Sequence, residues 1–110
     1  MVNDNSLFRG TTPVMSIVLD LTAAQAAKVS KWYLTLKQGN VSVEWTGTTV
    51  SLTTDKVPYI EVTATQAQTL SLSEGPAELQ LRLLTSDGEA DASDVFDVMI
   101  GPVLKDGEIS

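Results

Sequence analysis

The chain has 110 residues, fourteen acidic and seven basic side chains, no histidine and no cysteine, for a formal net charge of −7. That is the length of one ordinary domain. Without histidine or cysteine it lacks the commonest general base, the commonest transition-metal ligand and any thiolate or disulfide, and its acidic surface repels phosphate backbones, which argues against a nucleic-acid partner.

Residues 1–7 read as a flexible polar leader, followed by a single domain over residues 8–110. The first six residues, MVNDNS, carry neither a basic region nor an apolar run. The expectation is a chain without a signal peptide, made in the cytoplasm. No apolar run approaches the roughly 20 residues that cross a bilayer, so no membrane partner is expected.

Phe8-Arg9-Gly10-Thr11-Thr12-Pro13 follows. Gly10 permits a tight backbone, and Pro13 holds the residue before it extended. The run reads as a clamp that folds Phe8 onto the sheet and starts the first strand. It also reads as an interaction site, because an aromatic beside an arginine suits a protein interface.

After Pro13 the apolar residues alternate. Met15, Ile17, Leu19 and Leu21 share one face, and Ser16 and Asp20 the other, with Val14 and Val18 making that second face mixed. This predicts a strand. Thr22 and Gln25 have the spacing of a capping box, which predicts a helix of about two turns ending near Ser30. Trp32, Leu34 and Leu36 then alternate with Lys31, Tyr33, Thr35 and Lys37. The two lysines read as guards on the outward face of an edge strand.

Gln38-Gly39-Asn40 is a turn, and Val41, Val43 and Trp45 complete a hairpin. Val50 and Leu52 predict a short fourth strand, and Pro58 opens a fifth with Ile60 and Val62 inward. Thr63 and Gln66 repeat the spacing of the first capping box.

Leu79, Leu81 and Leu83 alternate with Glu78, Gln80 and Arg82, and Asp87-Gly88 is a tight-turn signal. A two-residue loop there pairs Leu79 with Phe96 and Leu83 with Ala92. It also sets Leu81 opposite Asp94, which is costly for a buried carboxylate. Either a bulge near Ala92 shifts the register, or Asp94 caps a turn. Phe96, Val98 and Ile100 form the last strand.

The fold class expected is all-β: an antiparallel β-sandwich of about seven strands with one or two short helical turns. Its core candidates are Ile17 and Leu19; Trp32, Leu34 and Leu36; Val43 and Trp45; Ile60 and Val62; Leu79, Leu81 and Leu83; and Phe96 and Val98.

Chemistry is sparse. Asp87, Glu89, Asp91 and Asp94 are the hard oxygen donors that calcium needs, but the EF-hand spacing and its closing glutamate are missing. The run reads as a solvated hairpin loop, with no metal or cofactor expected. A serine or threonine nucleophile has no histidine to activate it, so no enzyme is expected. Trp32 and Trp45 fall on apolar faces and read as core. Tyr33 and Tyr59 point outward and are the residues to stack on a sugar. Interaction candidates are therefore Phe8, Arg9, Tyr33 and Tyr59.

The runs FRGTTP, VTATQAQTL and AELQLRLLTSDGEADASDVFDVMIGPVL resemble small tail-associated proteins of phages and prophages, and the N-terminal domain of the baseplate upper protein family. The likeness spans residues 8–104. It rests on the start, the Thr-Gln-rich turn from Gln66 to Leu70, the strand around Gln80, the Asp87-Gly88 turn and the Ala92-Ser93-Asp94 entry to the last strand. Residues 22–56 match in pattern alone.

The resemblance implies a non-enzymatic structural or adaptor component of a phage or prophage tail or baseplate, acting by protein–protein docking. Its partners would be other tail or baseplate proteins, with a homo-oligomer also compatible. It would lie in the host cytoplasm during assembly and then in the virion tail. The alternative reading is a small carbohydrate- or cell-wall-binding module.

Overall fold

Alternating apolar residues give each strand one face to bury, and two sheets facing each other bury them together. The computed structural model of the protein describes residues 6–92 and 95–110. In chain order its elements are β1 (Ser6–Phe8), β2 (Val14–Val18), α1 (Ala23–Ala26), β3 (Val29–Gln38), β4 (Val41–Gly47), β5 (Ser51–Leu52), β6 (Pro58–Thr63), α2 (Gln66–Leu70), β7 (Gly75–Thr85), β8 (Ala90–Ala92) and β9 (Phe96–Gly101).

Among the described residues, one sheet has six strands in the order β1-β9-β7-β3-β4, with β8 also paired to β7; the other has three, in the order β2-β6-β5. The pairings are antiparallel except that of β1 with β9, which is parallel. The fold is the expected all-β sandwich. The strands beyond the predicted seven are β1 and β8, each three residues long and too short for alternation to reveal. Strand β1 contains Ser6 and Leu7, which the sequence pattern assigns to the leader.

The core lies between the sheets. Leu34, Leu36 and Leu81 of the wide sheet and Ile60 of the narrow one are almost fully buried. Trp32 is buried at 6% exposure, and its indole N–H donates to the Thr49 carbonyl at 2.8 Å. Its ring lies over Gly47, its partner across the β3–β4 ladder.

Of the core candidates, Ile17, Trp45 and Leu83 are partly buried and pack against the core, while Phe96 is 39% exposed. Phe96 points to the inner side, paired with Leu79, but it stands where the narrow sheet no longer covers the wide one.

Four local expectations are corrected. The first helix is a single turn, Ala23–Ala26, because β3 already begins at Val29. Its capping box is as expected: Gln25 N–H donates to Thr22 Oγ1, and Thr22 N–H donates to Gln25 Oε1. The second box uses Thr65 and Gln68, not Thr63 and Gln66. Thr63 is still in the ladder opposite Val14, and Ala64 N–H still donates to Pro13, so the chain is free to turn only at Thr65.

Strand β3 is not an edge; it lies between β7 and β4, and its lysines sit on the solvent face of the sheet. Finally, the Asp87-Gly88 hairpin loop has three residues. Thr85 N–H donates to the Glu89 carbonyl, and Gly88 takes φ +83°, the left-handed residue that such loops need.

That extra residue changes the register. Arg82 pairs with Ala92 and Leu83 with Asp91, whereas Leu79 still pairs with Phe96 as predicted. The β7–β8 and β7–β9 ladders thus differ by one residue in register, and the choice between a bulge and an Asp94 cap falls on residues outside the described ones. The expected opposition of Leu81 and Asp94 lies outside the described residues.

Candidate functional site

The two sheets differ in width, and the difference leaves an apolar groove along β2. Leu19 N–H donates to the Pro58 carbonyl at 2.9 Å, and Ala64 N–H to the Pro13 carbonyl at 3.0 Å. Odd-numbered residues of β2 therefore point their main-chain groups at β6. Val14, Ser16 and Val18 point theirs the other way. Among the described residues, β6 is the one strand paired with β2, so these groups line a free edge.

Two adjoining cavities of about 330 and 360 Å³ run along that edge and share Ile17, Val18 and Phe96. Opposite Met15 and Ile17, the first is walled by Leu79 of β7, Val98 of β9 and Leu7 of β1. The second continues past Leu19 to Leu81 and Leu83, and its charged lining residues among those described are Asp20 and Asp91. No lysine or arginine is among the described residues lining either cavity. On the outer side of the edge Val14 and Val18 are 59% and 68% exposed, and Ser16 Oγ donates to Glu61 at 3.1 Å.

The four candidate interaction residues lie elsewhere. Phe8 is 55% exposed, on the outer face of the wide sheet, with its ring against Gly101. Arg9 turns the other way: Nε donates to the Leu72 carbonyl at 2.6 Å and Nη2 to that of Leu70 at 3.1 Å. It thus satisfies carbonyls at the C-terminal end of α2, where a cation is favoured. Phe8 and Arg9 are neighbours in sequence but serve different surfaces.

Tyr33 is half-buried on the outer face of the wide sheet, between Arg82 and Thr46, with Lys31 Nζ 5.1 Å from its ring centroid. The hydrogen bond and charge interaction with Tyr33 raise the pKa of Lys31. Tyr59 lies on the outer face of the narrow sheet, between Val18 and Ser51. The two tyrosines are on opposite outer faces of the sandwich and form no common platform.

In the acidic hairpin, Asp87 is 3.9 Å from Lys28. Among the described residues, no three acidic side chains gather as a metal would need. Asp94 lies outside the described residues.

Comparisons with protein-family models, with curated proteins and with solved structures give no match to this chain.

Sequence reasoning missed the groove. Its one local signal is the pair Val14 and Val18, which make β2 apolar on both faces. The other half of the signal is Phe96, which alternation assigns to the core.

Proposed function

We propose that the protein acts by docking to other proteins, as a non-enzymatic structural or adaptor component of a phage or prophage tail. The observation that carries docking is the free edge of β2 beside an apolar groove. Unpaired strand edges and open apolar channels are where a sheet protein accepts a partner. The tail assignment is supported by the resemblance of residues 8–104 to tail-associated and baseplate proteins.

The test is composition. Tail particles are purified from the strain that carries the gene and quantified by mass spectrometry. The chain is expected at a fixed ratio to the major tail proteins through a density gradient. Its absence from intact particles overturns the tail assignment.

A further inference from the structure

We infer that β2 accepts one extended strand from a partner protein, antiparallel to it, with apolar side chains at alternate positions and a lysine or arginine at its N-terminal end. The inference rests on the docking reading and names the chemistry of the partner.

Three observations lead there. The first is parity: Val14, Ser16 and Val18 present main-chain donors and acceptors on the free edge, which is what an added strand pairs with. An antiparallel ladder is the more stable choice and repeats the pairing β2 makes with β6.

The second is the shape of the groove. Leu79, Val98 and Leu7 reach the same cavity as β2 from three successive strands, β7, β9 and β1. The wide sheet therefore overhangs the edge of β2. A second copy pairing its own β2 there would bring its own overhang into the same space. A lone strand fits beneath the overhang, and its inward side chains would fall opposite Met15, Ile17 and Leu19 and cover Phe96.

The third is charge. Among the described residues, Asp20 and Asp91 are the charged groups lining the groove, and both stand toward the end where β2 leads into Asp20. In an antiparallel pairing the N-terminal end of the incoming strand arrives there. A cation at that end is attracted and an anion repelled, and the net charge of −7 adds to the bias.

The experiment uses the whole chain and a fluorescently labelled synthetic peptide of two lysines followed by Val-Thr repeats. A second peptide replaces the lysines by glutamates. Binding is followed by anisotropy at near-physiological salt. The lysine peptide is expected to bind saturably and about tenfold or more tighter than the glutamate peptide.

Ser16→Pro removes a donor from the free edge and none from the β6 ladder. It is expected to weaken the lysine peptide about tenfold. Should that variant unfold by circular dichroism, D20K combined with D91K decides instead, since both sites are exposed; it should reverse the preference between the peptides.

Equal affinity for the two peptides, unchanged affinity in a folded Ser16→Pro, or an unreversed preference in the lysine variant overturns the inference, whether or not the chain is found in tail particles. A chain missing from particles that still shows the charge and proline dependence overturns the tail assignment and upholds strand addition.

Discussion

Replacing Gly47 by alanine tests whether Trp32 is packed as tightly as the sandwich requires. A Cβ at position 47 would lie 2.6 Å from Trp32 Cε2 and 2.9 Å from Nε1, and closer still to Cζ2. Real side chains do not tolerate such distances, so the indole must move. Gly47 does not have a left-handed φ, so the backbone accepts alanine and the cost is one of packing. Displacing a buried ring in a filled core costs about 1–3 kcal/mol. If the indole N–H loses the Thr49 carbonyl at 2.8 Å, a further loss of about 1–3 kcal/mol follows.

Alanine also narrows the freedom of the unfolded chain, which returns about 0.4–1 kcal/mol. With the hydrogen bond lost as the ring moves, the net expectation is a loss of about 1–5 kcal/mol, read as a lower urea midpoint with unchanged slope. At about 4 °C per kcal/mol, the melting temperature should fall by roughly 4–20 °C. A double-mutant cycle isolates the clash. In a Trp32→Leu background the extra methyl has room, so Gly47→Ala should cost little there. An equal cost in both backgrounds, or no loss at all in the wild-type background, refutes the packing of Trp32 on Gly47.

Arg9→Ala should lower stability by about 1–3 kcal/mol, because two carbonyls at the end of α2 lose a charged donor. Asp106→Asn should change it by less than about 0.5 kcal/mol, since the Arg9–Asp106 contact of 3.7 Å involves a carboxylate that is largely in solvent. Urea titration distinguishes the two. Thr65→Ala should cost about 1 kcal/mol as the loss of an N-cap, and Thr63→Ala only a few tenths. The reverse order would return the capping box to Thr63 and Gln66.

The central strands were legible because each carries its own alternation. Leu79, Leu81 and Leu83 mark β7 without reference to anything else, whereas Leu79 meets Phe96 only because the β7–β9 ladder is offset by one residue from the register that the three-residue loop sets for β7 and β8. Where two local signals overlapped, the choice was made at longer range. Thr63-x-x-Gln66 and Thr65-x-x-Gln68 are both capping-box spacings, and the hydrogen bond from Ala64 to Pro13, across the sheet, selects the second. The place of β3 in the middle of its sheet is likewise invisible to its lysines, which face solvent whether a strand is central or at an edge. The groove is the extreme case. It arises from the relative widths of two sheets, a property of topology that no window of residues contains. Val14, Val18 and Phe96 record it only as apolar side chains in unexpected places.

The segment Val14–Val18 is flanked by features that disfavour pairing with a second copy of the chain. Four of its five residues are apolar and none is charged, the composition that pairs promiscuously at a free edge. Pro13 before it, Asp20 after it and the overhang of the wide sheet restrict what can approach. The fourteen acidic residues against seven basic ones add a repulsive contribution between copies of the chain within roughly a Debye length, about 10 Å at 0.1 M salt. A slender strand with a positive end meets none of these obstacles. The features that disfavour an identical copy at β2 are therefore the same ones that would select a basic-ended strand from a different protein.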